Sequence, residues 1–408
     1  MRQEKLHHQS DRLSSDIETG RGLDPDSRAP DPVFGCSYGY NKLYFDILIL
    51  TPCLLNGGTE VQLLSLCQAF QNIGKKVAVA CLFEFSPPML TAFRNSGLPV
   101  YCLSKTNNRP KGIIRTAFKV SVLLWKLSHR LIVRKVHVGY MAPGAMSAFF
   151  ARCFLSKRVY VSVHACSSSK YSASLLRLLT HGIVRKVIFV SKSAADSFCK
   201  CKRVKISSHY TIVYNALPRD IGLCFKSDDL ICKRICIGWV GRLEPIKGSD
   251  VLRWIINRKE ILKMPVDWII AGEGSELPAI RNLLSSYGLN DRVDICGNVS
   301  RHCIASVYDK IDILFVPSRE EAFGLSALEG MARGCVLVAS KAPGLNELLD
   351  GSKAAIQFDI QHPDKAVEAI IFLCRNRDRL RLMSKYATEY ASRFTQSGYQ
   401  SAIIAAHS

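Results

Sequence analysis

The sequence predicts an α/β protein of two doubly wound, Rossmann-like parallel sheets, and three observations predict it. Short apolar runs recur along the chain; each is followed by a Gly or Ser turn and a helical period; and the alternation stops once, in a polar stretch around 226–233, before it resumes. A length of 408 residues suits two cores of ordinary size.

Residues 1–40 are polar and without period, so a disordered lead is expected there, and the opening MRQEKLHHQS lacks the apolar stretch of a signal peptide. The first series of strands then reads YFDILIL at 44–50, KVAVACLF at 76–83, VYVSVHA at 159–165 and KVIFVS at 186–191. The second reads ICIGWV at 235–240, WIIAG at 268–272, VDICG at 293–297, DILFVPS at 312–318 and VLVAS at 336–340. Near-continuous apolar strands belong to parallel sheets with helices on both faces. The expected divisions are a first domain over 41–220, a second over 221–390, and a closing helix over 391–408 able to cross back to the first.

Charge is unevenly spread. The chain carries +21, yet residues 41–220 alone hold 26 Lys and Arg against 5 Asp and Glu, and no acidic residue occurs between Glu84 and Asp196. Such a segment favours a polyanionic neighbour: nucleic acid, anionic lipid or a phosphorylated substrate. Within it, KGIIRTAFKVSVLLWKLSHRLIVRK at 111–135, taken as one helix, gathers Lys111, Arg115, Lys119, Lys126, Arg130 and Arg134 within about 140° of arc, with apolar residues on most of the rest. An ordinary domain helix and a membrane-surface helix both fit that pattern. No apolar stretch is long enough to span a bilayer. The 16 Cys sit singly in apolar segments, as at Cys67, Cys81, Cys153 and Cys335, which suits reduced cytosolic thiols; the close pairs Cys199 with Cys201 and Cys232 with Cys236 lack partners at zinc spacing.

Ligands of doubly wound sheets bind beyond the carboxyl ends of the strands, so the loops after the apolar runs are where chemistry is expected. Gly57 and Gly58 follow the first strand and open a helix, where a backbone can approach an anion closely. Arg242 and Lys247, five apart in VGRLEPIKG, can neutralise a diphosphate, the Arg as a fork and the Lys as a point charge. Turns follow at Gly272-Glu273-Gly274 and Gly297-Asn298. In PSREEAFGLSALEG, Glu321 stands eight residues before Glu329, with Phe323, Gly324 and Leu325 between them at a strand-to-helix turn. Two carboxylates beside a diphosphate site would repel it unless they bind neutral hydroxyl groups, and a sugar nucleotide has both parts.

GRLEPIKG, the AGEG turn and PSREEAFGLSALEGMARGCVLVAS, in this order and spacing, resemble the retaining glycosyltransferases of family four, which have the GT-B fold. The resemblance covers about residues 44–395 and is strongest over 236–350. It implies that Arg242 and Lys247 bind the donor diphosphate together with the backbone N–H groups of Gly324 and Leu325. It further implies that Glu321 binds donor-sugar hydroxyls, Glu329 the ribose, that Gly57-Gly58 is the family's glycine loop, and that His164 stands beside the transferred sugar. Without it, His164 reads as a core histidine. Glu321, His164, Arg242 and Lys247 are thus the expected catalytic residues, and Gly272, Gly274, Asn298 and Phe323 complete the expected donor site.

The chain departs from the family at Asn215-Ala216, where Asn-Gly is usual, and at Pro343-Gly344, where the family has paired glycines before the position of Glu347. The expected activity is transfer, with retention, of a hexose or N-acetylhexosamine from a nucleoside diphosphate sugar, UDP ahead of GDP, to a hydroxyl, with neither cofactor nor metal. The expected acceptor is a lipid-linked or lipopolysaccharide-like glycan, met by a cytoplasmic enzyme at the anionic inner face of the membrane, with no nucleic acid as partner. A GT-B epimerase or phosphorylase, and a non-enzymatic polyanion binder, remain the alternatives.

Overall fold

The first sheet holds β1 (Leu43–Leu54), β2 (Val77–Phe85), β3 (Val100–Cys102), β4 (Leu131–Val138), β5 (Val159–Val163), β6 (Lys186–Phe189) and β7 (Tyr210–Ile212), all parallel, in the order β3-β2-β1-β4-β5-β6-β7. Among the described residues its helices are α1 (Gly58–Gln71), α2 (Pro87–Asn95), α3 (Ile113–Ser128), α4 (Gly144–Phe154) and α5 (Lys192–Lys202). The second sheet, also parallel, runs β10-β9-β8-β11-β12-β13, from β8 (Ile235–Val240), β9 (Val266–Ala271), β10 (Val293–Gly297), β11 (Ile313–Val316), β12 (Val336–Ser340) and β13 (Ala355–Phe358). With it go α6 (Ser249–Ile256), α7 (Lys259–Leu262), α8 (Leu277–Ser286), α9 (Ile304–Lys310), α10 (Leu325–Ala332), α11 (Pro343–Leu349), α12 (Asp364–Arg375), α13 (Arg377–Ala391) and α14 (Gln396–Ala406). This computed structural model describes residues 42–104, 110, 112–139, 144–164, 182–202, 210–226 and 234–408. The expected lead over 1–40, Lys111 and Cys232 lie outside them. Both sheets belong to one compact unit.

Two doubly wound sheets are what the alternating runs foretold. Each core is the apolar face of its strands closed by helices: Ile49, Phe70, Val79 and Phe93 in the first, Trp239, Trp268, Phe315 and Phe358 in the second. Tyr399 and Ile403 of α14 bury in the first core, so the last helix packs on α1 rather than on its sequence neighbours. The chain crosses between sheets at 213–226 and again near 392–395, and the crossings are tied together: Leu217 N donates to Phe394 O at 2.9 Å and Gln396 Nε2 to Leu217 O at 2.7 Å. Ala216, where the family has Gly, is buried, and its carbonyl accepts from Gln62 of α1 at 2.9 Å.

One expectation fails. The stretch 111–135 is not a single helix: α3 ends at Ser128, and β4 begins at Leu131. Arg134 and Lys135 disguise a strand whose remaining residues include Ile132, Val133, Val136 and Val138, β-branched side chains that favour the pleated sheet over another helical turn. Arg130 and Arg134 therefore do not continue the face of α3.

Among the described residues, no helix is long and apolar enough to cross a membrane. Cys67, Cys81 and Cys335 are buried free thiols, and burial pushes that of Cys335 up to about 12.

Candidate active site

In each sheet the strand order reverses once, between β1 and β4 in the first and between β8 and β11 in the second. Ligand crevices of doubly wound sheets open at such points. The loops after β1, β8 and β11 carry Gly57 and Gly58, Arg242 and Lys247, and Glu321 and Gly324 respectively, so the topology brings the strongest sequence signals to the two reversal points.

The β8 and β11 loops are fastened to one another. Arg319, just before Glu321, gives a two-pronged ion pair to Asp250 at 2.6 and 2.7 Å and a third bond to Pro245 O at 2.6 Å, pinning the single turn Pro245–Lys247. Gly248 lies at φ +79°, and a Cβ there would stand 2.0 Å from Pro317 O, so only glycine permits this approach. So held, Lys247 Nζ meets Glu321 Oε2 at 2.7 Å, and Ser318 Oγ donates to the same oxygen at 3.3 Å. Gly344 N donates to Glu321 O at 3.0 Å, and a side chain at 344 would strike that carbonyl, which explains the retained glycine of the Pro343-Gly344 pair.

α10 begins at Leu325 with Gly324 as its N-cap, in the left-handed region at φ +99°. Its first N–H groups have no intrahelical acceptor and concentrate positive potential beside Glu321 and Lys247. Across the cleft lies the start of α1: a Cβ on Gly58 would stand 3.1 Å from the Leu325 side chain. Two helix N-termini, one from each sheet, thus face each other. Glu60, in the first turn of α1, is buried beside Cys53 Sγ at 3.5 Å; burial raises its pKa, and the charge of Arg242 works against that rise.

The remaining expected residues are placed differently. Glu329 is buried, with Oε1 paired to Arg301 Nη1 at 2.7 Å and Oε2 accepting from Tyr308 at 3.1 Å. Arg301 also grips Asp220 of the first crossing at 2.6 and 3.0 Å. Burial raises the pKa of Glu329 even against Arg301; burial opposes the charge on Arg301 too, but Glu329 and Asp220 outweigh it and raise its pKa. The Phe323 ring is buried between Tyr214 and Phe394, with centroids 6.3 and 5.9 Å away. The space that Cβ atoms of Gly272 and Gly274 would take is filled by the backbone of residues 241–243, so these glycines shape the Arg242 loop. Asn298 is exposed after β10. His164 follows β5 at the carboxyl edge of the first sheet, and burial lowers its pKa to about 4.

Sequence reasoning gave no role to Arg319, Arg301 or Glu60, and none to Glu347. The Glu347 carboxylate accepts from Lys192 N at 2.7 Å and Ser193 N at 2.6 Å, so a residue of the second domain caps helix α5 of the first; burial would raise its pKa, but these bonds hold it lowered. Ser191 Oγ adds a bond to Ala322 O at 2.5 Å across the same contact. Glu60 had a local signal, an acid directly behind the glycine pair in a segment almost without acids. Arg319 and Arg301 had none, since their partners lie 69 and 81 residues away.

Residues 226–390 match the family model of glycosyl transferases group 1. Among curated relatives, the D-inositol 3-phosphate glycosyltransferase of Corynebacterium jeikeium is 30% identical over 186 residues, 43% of this chain and 42% of that one. The O-antigen biosynthesis glycosyltransferase WclY of Escherichia coli is 26% identical over 243 residues, 56% of this chain and 64% of the relative. The chain thus spans less than two-thirds of the length of these relatives. Solved structures extend the likeness to both sheets: Anabaena Alr3699/HepE in complex with UDP and glucose has a TM-score of 0.73 at 19% identity, covering 88% of this chain and 98% of that one. The architecture is the GT-B fold. The lipopolysaccharide outer core galactosyltransferase WaaB shares it, with a TM-score of 0.64 at 15% identity over 88% of this chain and 98% of WaaB.

Proposed function

We propose that the protein is a glycosyltransferase that moves a hexose or N-acetylhexosamine from a nucleoside diphosphate sugar, a UDP-sugar first, to a hydroxyl acceptor with retention at the anomeric carbon. The observation that carries this reading is the Lys247–Glu321 pair at the N-terminus of α10, opposite the glycine start of α1. Cation and helix terminus suit the diphosphate, and the carboxylate suits sugar hydroxyls. As the glycosidic bond to phosphate breaks, negative charge grows on the leaving oxygen, and Lys247, Arg242 and the α10 N–H groups stabilise it more than they stabilise the bound donor. Glu329, one turn into α10 and held by Arg301 and Tyr308, is the residue to which the resemblance assigns the ribose hydroxyls. The family match over 226–390 and the UDP- and UDP-glucose-bound structures of Alr3699/HepE, a neighbour in fold, support a nucleotide-sugar donor.

The acceptor proposed is a lipid-linked or cell-surface glycan met at an anionic membrane surface. WclY, named for O-antigen biosynthesis, supports the class. The surface of α3 supports the place. Thr116, Val120, Leu124 and Leu127 turn inward, while Ile114, Phe118 and Trp125, within about 40° of one another at ~100° per residue, face solvent at 81%, 73% and 51% exposure. Arg115 and Lys126, both exposed, run along one edge of this stripe, as in an interfacial helix. Lys119 does not join them: its ammonium donates to Ser104 Oγ at 3.0 Å and lies over the Phe83 ring.

The deciding experiment is a panel of UDP-, GDP- and ADP-sugars assayed for donor hydrolysis, followed by determination of the anomeric configuration of the transferred sugar. Hydrolysis of none sinks the transferase reading; an inverted product sinks retention alone.

A further inference from the structure

Beneath the first sheet's carboxyl edge lies a buried polar chain that none of the chemistry above uses. His407, following α14, has Nδ1 2.8 Å from Ile403 O and Nε2 2.9 Å from His137 Nδ1. His137 Nε2 lies 3.0 Å from Ser162 Oγ, and Ser162 Oγ lies 2.8 Å from His164 Nε2. His137, His407 and Ser162 are each at most 3% exposed. Phe70, Tyr160 and Lys135 surround His407; the Tyr160 hydroxyl and the Lys135 ammonium both donate to its backbone carbonyl, at 2.9 and 2.5 Å.

The hydrogen positions follow in order. A backbone carbonyl only accepts, so His407 carries its proton on Nδ1. Burial, with Lys135 and Lys186 nearby, lowers the His407 pKa to about 4, so at neutral pH its Nε2 is bare and must accept from His137 Nδ1–H. Burial holds the pKa of His137 well below normal too, so its Nε2 is also bare and accepts the hydroxyl proton of Ser162. Having one proton to give, Ser162 Oγ accepts from His164 Nε2–H. The neutral His164 ring is left with no proton on Nδ1.

The geometry points to a positioning relay: His407, His137 and Ser162 fix His164 in the Nε2–H tautomer, so that Nδ1 meets the donor as an acceptor for a sugar hydroxyl. The last clause rests on the proposed function; the tautomer does not. The relay makes His407, distant in sequence, His137 and Ser162 positioning residues, and it disposes His164 to a neutral, hydroxyl-bearing group rather than to the diphosphate, which needs a donor.

The test uses the full chain with 15N-labelled histidine, with ring signals assigned by single His substitutions. Two-bond proton–nitrogen correlations at pH 7 should show His407 and His137 protonated on Nδ1 and His164 on Nε2. His164 protonated on Nδ1, or on both nitrogens, overturns the relay. Ser162→Ala removes one link with little change of volume. It should mix the His164 tautomers and lower kcat about three- to tenfold, as for one hydrogen bond, with the donor KM nearly unchanged, and Ser162→Thr should restore both. A Ser162→Ala protein with an unaltered His164 tautomer also overturns the relay. If the tautomers are as derived but His164→Ala turns over normally, the relay stands and the sugar contact is removed. Should no donor be hydrolysed by the unaltered chain, the function fails while the spectra still decide the relay.

Discussion

The two halves of the molecule treat charge in opposite ways. In the second, cations meet carboxylates: Lys247 with Glu321, Arg319 with Asp250, Arg333 with Asp309, and Arg301 with Glu329 and with Asp220 of the crossing. In the first, where acids are scarce, Lys119 rests on a serine and a phenyl ring, and Lys135 on a carbonyl and a tyrosine ring. Paired charges fix loop geometry, whereas uncompensated ones create a field that acts on whatever approaches. The second half therefore fixes its loops, and the first keeps a positive field at its surface.

Removing the charges proposed to meet the donor should give the largest effect. Charge-assisted hydrogen bonds are worth about 1.5 to 3 kcal/mol each, so Arg242→Ala and Lys247→Ala should each lower turnover roughly ten- to a hundredfold. Glu321→Ala should nearly abolish transfer yet keep affinity for the free nucleoside diphosphate, measured by calorimetry. Normal transfer by both cation variants removes the diphosphate assignment; equal loss of nucleotide binding in Glu321→Ala reverses the roles of the two glutamates.

Acid should distinguish the halves next. His137, His164 and His407 of the first domain have folded pKa values below the ordinary 6.5, those of His164 and His407 near 4. Between about pH 6.5 and 4 the unfolded chain therefore binds more protons, so stability present above pH 6.5 falls as pH drops, by up to about 1.4 kcal/mol for each unit of depression. Glu60 and Glu329, raised by burial, act in the opposite sense and soften the loss. Urea midpoints followed from pH 7.5 to 4.5 should decline. A flat profile would mean that the histidines are not buried as neutral rings.

The contrast in charge also explains what could be read from the sequence. The second domain's loops are local motifs, and Lys247, Glu321 and the Gly324 cap could be read from strand-turn-helix spacing alone. The first domain's devices are not local: β4 hid because Arg134 and Lys135 interrupt its β-branched pattern only two residues after a helix. The His137–His407 contact joins positions 270 apart that no periodicity relates. Glu347 was placed by resemblance, but its work as a cap on α5 depends on the packing of two domains. Phe323 is expected in the donor site, and its ring closes an aromatic contact with Tyr214 and Phe394 that no local pattern announces. A sequence registers what a loop offers more readily than what its neighbours already occupy.

A smaller and reversible effect is expected at the surface of the first half. Each Lys or Arg near an anionic membrane contributes about 1 kcal/mol, and the attachment weakens as salt shortens the Debye length. Arg115→Glu with Lys126→Glu should release the protein from anionic vesicles at low salt; Phe118→Ser with Trp125→Ser should weaken binding that persists at high salt. Donor hydrolysis should be unchanged in both, because α3 lies apart from the cations of the second half. An unaltered chain that ignores anionic vesicles at low salt would leave a soluble anionic acceptor as the reason for the basic domain.

The smallest expected effect is none at all, on removing divalent metal. In the transfer proposed, the charge that must be met in the transition state is on the leaving diphosphate, and the second half would offer it Arg242, Lys247 and the N-terminus of α10, itself equivalent to about half an elementary positive charge. These groups are held before the donor arrives: Arg319 fastens the Lys247 turn, and Gly324 sets the helix start. Preorganised positive charge of this kind substitutes for a Lewis acid at the leaving oxygen. Transfer should accordingly proceed at the same rate in EDTA as in added magnesium or manganese. Strict dependence on either ion would mean that the paired charges of the second half only shape the loops, and that the cation doing the chemistry comes from outside.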